Sequence, residues 1–118
     1  MHELSLCQAL ISEVEAVARR EDAQRVLSVM VRIGPLSGVE PELLHSAYTL
    51  ARCNTVAADS RLLIESMPVC VTCEDCGSDS TVAHNRLLCA DCGSWHTRVI
   101  SGDELMLMRV ELERNNVH

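Results

Sequence analysis

Apolar residues recur with helical spacing near the start of the chain and again after Pro41. Over residues 3–20 they fall on one stripe, which predicts a helix that packs against a core on one side. Glu3 near its start and Arg19-Arg20 at its end complement the helix dipole. Pro41 suits the first position of a second helix. The positions expected to face the core are Leu4, Cys7, Ile11, Val14 and Ala18 in the first helix, and Leu44, Ala47 or Tyr48, and Ala51 in the second.

Three other segments alternate apolar and polar positions, which is the pattern of a half-buried strand. They cover residues 25–33, 61–67 and 104–113. Gly34-Pro35 ends the first strand and Pro68 ends the second. The pattern as a whole predicts an α+β fold in which two helices pack on a small three-stranded sheet. In the first strand the residues expected to face the core are Leu27, Val29, Val31 and Ile33.

Composition changes abruptly between the second and the third of these strands. Residues 70–103 contain five of the seven cysteines, three of the five glycines and the only tryptophan. The chain is therefore expected to leave one domain after its second strand and to return to it for the third. We predict an α+β domain of residues 1–68 plus 104–118, into which a cysteine-rich module of residues 69–103 is inserted.

The module contains two Cys-x-x-Cys-Gly sequences separated by twelve residues. Cys73 and Cys76 form the first pair, and Cys89 and Cys92 form the second. Two such turns present four sulfurs at the distance that tetrahedral zinc requires. Because the protein fills all four positions, the predicted zinc ribbon holds Zn(II) in a structural role. A segment this poor in apolar residues needs a metal in place of a core.

Two alternatives remain open for the cysteines. Cys70 lies three residues before Cys73, so these two could form the first pair, although the glycine that follows Cys76 favours Cys73 and Cys76. A thiol oxidoreductase would use one Cys-x-x-Cys of low pKa at the start of a helix. Two matching pairs, each with a trailing glycine, fit a metal site better.

Charge and composition exclude several classes of function. All ten basic residues are arginines, and the absence of lysine rules out a P-loop nucleotidase and a Schiff-base enzyme. A net charge of -7 argues against binding to nucleic acid. No uncharged run approaches the ~18 residues of a membrane span, and the N-terminus does not resemble a signal peptide. We therefore expect a cytoplasmic protein whose cysteines are metal ligands or free thiols.

The first three residues, Met1-His2-Glu3, offer a second kind of metal site. A free amine, backbone amides and an imidazole can form a planar set of nitrogen ligands, which selects Cu(II) or Ni(II). The amine and the imidazole must be deprotonated, so the affinity should fall as the pH drops below about 7. Taken alone, His2 fits a solvated chain end better than a metal site.

The chain as a whole resembles the HypA/HybF family of hydrogenase nickel-incorporation proteins. The resemblance rests on motifs that occur in a fixed order: Met1-His2-Glu3, Val31-Arg32-Ile33-Gly34, Leu36-Ser37-Gly38-Val39, the two Cys-x-x-Cys-Gly pairs and Ser101-Gly102-Asp103-Glu104-Leu105. It implies a nickel metallochaperone, not an enzyme, which loads Ni(II) into the large subunit of [NiFe]-hydrogenase together with a GTPase of the HypB type. In some organisms such proteins also serve urease maturation.

The resemblance also assigns residues. His2 becomes the essential nickel ligand, with the Met1 amine and Glu3 as possible additional ligands. Cys73, Cys76, Cys89 and Cys92 fall on the structural zinc ligands of the family. Cys70 is not part of the family signature, and the roles of Glu40 and His96 stay undecided. The competing interpretation is a zinc-ribbon adaptor between proteins, which would bind zinc only and would be indifferent to His2.

Overall fold

The computed structural model describes residues 2–114. Within them the chain forms two helices and six strands. The helices are α1 (His2–Arg20) and α2 (Pro41–Ala51). The strands are β1 (Ala23–Ile33), β2 (Arg61–Ser66), β3 (Val69–Cys73), β4 (Asp79–Val82), β5 (Thr97–Ser101) and β6 (Leu105–Arg114).

The predicted α+β fold is confirmed. Strands β1, β2 and β6 form one three-stranded sheet in the order β2-β1-β6. The two helices pack against each other, and the Cys7 thiol of α1 donates a hydrogen bond to the backbone oxygen of Leu44 in α2, at 3.5 Å. Burial, with a smaller contribution from the charge of Glu3, raises the pKa of Cys7 to about 11, so this thiol is a core residue and not a nucleophile.

The alternation in β1 holds along most of the strand but is wrong at its start. Val29, Val31 and Ile33 are buried as predicted, whereas Leu27 is 40% exposed and Val26 is buried. At this point β1 makes a contact that sequence periodicity does not contain. The backbone N–H of Val26 donates to the backbone oxygen of Val56 at 3.0 Å, so the beginning of β1 is joined to the loop after α2.

A second sheet, in the order β4-β3-β5, carries the cysteine-rich segment. Its three strands are antiparallel neighbours, with Val71 of β3 opposite Ser80 of β4 and Val99 of β5. Val69 and Val71 are buried within it. The sequence predicted an inserted zinc ribbon here but not these strands, which are only four or five residues long.

The described residues form two compact units. One contains residues 2–31, 39–65 and 107–114, and the other contains Arg32–Gly38 and Ser66–Met106. The domain boundaries drawn from composition stay a prediction, because compactness alone does not show which segments fold independently. Neither α1 nor α2 is both long and apolar enough to cross a lipid bilayer.

A close backbone contact holds the two segments of the second unit together. The N–H of Gly34 donates to the backbone oxygen of Glu104 at 2.8 Å, and the N–H of Leu36 donates to that of Gly102 at 2.9 Å. A Cβ atom on Gly34 would overlap the backbone carbonyl of Gly102. Only glycine at position 34 therefore allows this approach.

We predict that Gly34→Ala destabilises the protein by about 2–3 kcal/mol, because backbone cannot move aside as a flexible side chain can. The matched control is Gly38→Ala. Gly38 has a φ of +77°, and a Cβ atom added to it would meet no heavy atom within 4 Å, so alanine there should cost only about 1 kcal/mol. Urea unfolding of the zinc-loaded variants measures both effects, and equal losses would contradict the close contact.

Candidate metal centre

Four cysteine sulfurs converge in the second unit. The Sγ atoms of Cys73, Cys76, Cys89 and Cys92 all lie within 4.8 Å of one another. Cys73 is 3.6 Å from Cys92, and Cys76 is 3.6 Å from Cys89. A tetrahedral zinc ion with Zn–S bonds of about 2.3 Å would separate its sulfurs by about 3.8 Å. The four-cysteine cluster therefore fits one structural zinc ion.

The two pairs of cysteines are built in the same way. In the first, the N–H of Gly77 donates to the backbone oxygen of Cys73 at 3.0 Å, and in the second, Gly93 donates to Cys89 at 2.9 Å. Both glycines have a φ of +76°, a conformation that side chains disfavour. The N–H of Cys76 also points at the sulfur of Cys73, 3.4 Å away, with the same arrangement in the second pair. Each turn thus presents its two sulfurs on one side.

The thiols of the cluster shift the pKa values of Cys76 and Cys92 in opposite directions. Hydrogen bonds from the side chain and backbone of Ser78 lower the pKa of Cys76 to about 6. The backbone N–H of Ser94 favours the thiolate of Cys92, but hydrogen bonding with Cys73, desolvation, and hydrogen bonding with Cys76 and Cys89 together raise its pKa to about 12. Like charges at this distance oppose complete ionisation. A bound divalent cation removes that conflict, which is the chemistry expected of a thiolate metal site.

A polar contact outside the sulfurs connects the two turns. Asp75, in the first turn, accepts hydrogen bonds from the Ser94 hydroxyl and, at 3.0 Å, from His96 Nδ1, both of which follow the second turn. These bonds, Ser94 first and His96 second, lower the pKa of Asp75. The ring of His96 also lies against the ring of Trp95, with centroids 3.9 Å apart. His96 therefore contacts Asp75 in this structure and is not among the clustered ligand atoms.

Cys70, the alternative partner of Cys73, lies away from the cluster. It is the second residue of β3, where its sulfur is 3.6 Å from the Thr81 hydroxyl of β4. Among residues 2–114, the only group of three or more side chains arranged for a metal is the four-cysteine cluster without Cys70. The geometry thus favours Cys73 with Cys76 as the first pair, and the ligand assignment itself stays a prediction.

The candidate nickel residues are at the beginning of α1. His2 is its first residue and is exposed, and Glu3 is half-buried beside Leu4, Leu43 and Leu50. Met1 lies outside the described residues. Glu40 is the residue before α2, where its backbone oxygen accepts the N–H of Leu44 at 2.9 Å and its side chain makes no capping hydrogen bond.

Comparison with known proteins decides between a nickel carrier family and an unrelated zinc ribbon. A family model described as hydrogenase/urease nickel incorporation, metallochaperone, HypA matches residues 1–112. The chain belongs to this family. The predicted resemblance to the HypA family is therefore confirmed, and with it the pairing of nickel as cargo with a structural zinc site.

Relatives and solved structures agree with this assignment to the HypA family. A hydrogenase maturation factor HypA from Nitrosospira multiformis is 53% identical over 112 residues, which is 95% of this chain and 97% of that protein. One from Aquifex aeolicus is 42% identical over 96% of this chain and 98% of its own. The solution structure of the Ni metallochaperone HypA from Helicobacter pylori superposes with a TM-score of 0.77 at 28% identity, covering 96% of this chain and 98% of that one.

We predict that Cys73→Ser releases zinc and lowers the melting temperature by roughly 10 °C, because the cluster replaces an apolar core in the second unit. The matched control is Cys70→Ser, which removes a thiol from the same strand and should keep one equivalent of zinc. Elemental analysis and thermal unfolding measure the two effects. Loss of zinc from Cys70→Ser would show that Cys70 is a ligand.

Proposed function

We propose that this protein binds Ni(II) at its N-terminus through His2 and delivers it, with a GTPase of the HypB type, to the large subunit of [NiFe]-hydrogenase. The observation that carries the proposal is the exposure of His2 at the first residue of α1 in a chain of the nickel-incorporation family. An ion held there is accessible to a partner. Nickel is the cargo in this scheme, while zinc stays in place.

The start of a helix supplies the remaining ligands. The first N–H groups of any helix have no partner within the helix. The amide nitrogens of His2 and Glu3 can therefore lose a proton to a metal without breaking the helical hydrogen bonds. Together with the imidazole of His2 and the amine of Met1, they give a planar nitrogen set, which selects Ni(II) or Cu(II). The carboxylate of Glu3 is a further possible ligand.

The proposed site is also suited to release. Its ligands come from adjacent residues at one chain end, so no cage has to open before the ion leaves. The positive end of the α1 dipole opposes a bound cation and limits the affinity. The zinc site differs in both respects, because its four sulfurs come from two separate turns and two of the cysteines are buried.

The delivery step needs a partner with a nucleotide site. The chain contains no lysine, so it lacks the residue that a phosphate-binding loop uses. A GTPase would supply the energy-dependent step. Hydrogenase maturation would take place in the reducing cytoplasm, which suits seven cysteines that form no disulfide. Because the family description includes urease, urease maturation proteins are the second class of acceptor.

We predict that wild-type protein without a tag and loaded with zinc binds one equivalent of Ni(II) with a square-planar absorption spectrum. His2→Ala should lose this binding and keep its zinc and its fold. His45→Ala, which removes an exposed histidine of α2, is the matched control and should bind nickel like the wild type. One extra residue before Met1 should weaken binding, because it displaces the amine.

Equal nickel binding by His2→Ala and the wild type would contradict the proposed site. If neither bound nickel, the chain would be a zinc-ribbon adaptor instead. Zinc loss from His2→Ala would show that the two sites are not separate.

We predict that transfer requires both His2 and the GTPase. Nickel-loaded protein is incubated with the purified HypB-type GTPase, GTP and the immature hydrogenase large subunit, and nickel in the reisolated large subunit is measured. Transfer should occur with the wild type and fall at least tenfold with His2→Ala or without GTP. Transfer that proceeds equally well without GTP would contradict the role given to the GTPase.

A further inference from the structure

A cleft of basic character lies between the C-terminal half of α2 and the beginning of β2. Its volume is about 300 Å³, and its walls include His45 and Arg52 on one side and Arg61, Leu62 and Leu63 on the other. None of the described residues that line it is acidic. The cleft is therefore positively charged in a chain whose net charge is -7.

The two arginines of the cleft differ from others in the chain. Arg25, Arg98 and Arg114 form ion pairs with Glu113, Glu74 and Glu21, respectively. Within residues 2–114, neither Arg52 nor Arg61 has a carboxylate partner. Arg52 is half-buried, and one of its guanidinium nitrogens donates to the backbone oxygen of Ser60. This bond orients the guanidinium group, which lines the cleft.

The floor of the cleft is a buried hydrogen-bonded network. The hydroxyl of Ser60 donates to the backbone oxygen of Ala57 at 2.6 Å, so the hydroxyl of Tyr48, 2.6 Å from Ser60 Oγ, is left as the donor to Ser60. The Thr49 hydroxyl donates to the backbone oxygen of His45. Burial raises the pKa of Tyr48, which keeps the phenol neutral. The floor is thus rigid and uncharged, and the donors left for a ligand are the guanidinium groups and the His45 ring.

We propose that this cleft binds a carboxylate side chain from an acidic segment of a partner protein. Guanidinium groups match carboxylates and phosphates equally well in shape, so the surroundings decide between the two. Phosphate sites commonly use the positive N-terminal end of a helix. Arg52 is instead the residue at the C-cap position of α2, where the helix dipole is negative and disfavours a doubly charged phosphate more than a carboxylate. Leu62 and Leu63 offer apolar contact to the methylene groups of a glutamate.

The binding is independent of nickel, so it is tested on the full-length, zinc-loaded protein without nickel. A capped hexapeptide of alternating glutamate and glycine is titrated into ¹⁵N-labelled protein, and amide shifts are followed by NMR. We expect saturable shifts at Thr49, Arg52 and Arg61, with an affinity that falls as sodium chloride rises from 50 to 200 mM. Arg61→Gln, which alters an exposed side chain, should weaken binding at least tenfold.

Three controls can overturn the proposal. Arg20→Gln removes an exposed arginine at the end of α1 and should leave the affinity unchanged; an equal loss would mean attraction by charge alone. A peptide with glutamine in place of glutamate should not bind, and if it does the carboxylate is not what is recognised. Tighter binding of inorganic phosphate than of the acidic peptide would overturn the choice of ligand. None of these results bears on the nickel site.

Discussion

The crowding of four thiols within 4.8 Å is the constraint on which the second unit depends. Sulfurs this close oppose full ionisation, and a divalent cation is the simplest way to stabilise them together. The sheet around them has only a small apolar core, since Val69 and Val71 are its main fully buried aliphatic residues. The zinc ion is therefore best regarded as the core of this unit. Asp75, Ser94 and His96 add a polar connection between the two turns.

The two metal sites differ in the type of donor atom that each offers. Zinc is matched by four sulfurs that close the coordination shell, whereas the start of α1 offers only nitrogen and oxygen. The sulfur site combines two turns that are separated by twelve residues, and two of its four cysteines are buried. The proposed nickel site draws on adjacent residues and is exposed at His2. One chain can therefore keep one metal permanently and pass on the other.

Sequence patterns predicted the helices and strands that bury one face and expose the other. The helices and the strands β1, β2 and β6 each place apolar residues at a regular period. The bounds of α1 and of these three strands agree with the predictions to within two residues, and α2 begins at Pro41 as predicted. Strands β4 and β5 are too short to show a period, and the burial of Val26 departs from the predicted alternation where β1 is joined to the loop after α2. The approach of Gly34 to Gly102 is likewise a long-range contact. The sequence shows that both residues are glycines, but no local pattern predicts that they lie next to each other. The hydrogen bonds of Asp75 with Ser94 and His96 also join residues that are far apart in the sequence, so no local pattern predicts them.

X-ray absorption at the zinc and nickel edges of protein loaded with both metals shows whether the two metals occupy separate sites. We expect four sulfur neighbours at about 2.3 Å around zinc and only nitrogen or oxygen neighbours around nickel. Sulfur scattering in the nickel shell would contradict this expectation, because nickel would then occupy the cysteine cluster and the two metals would not have separate sites.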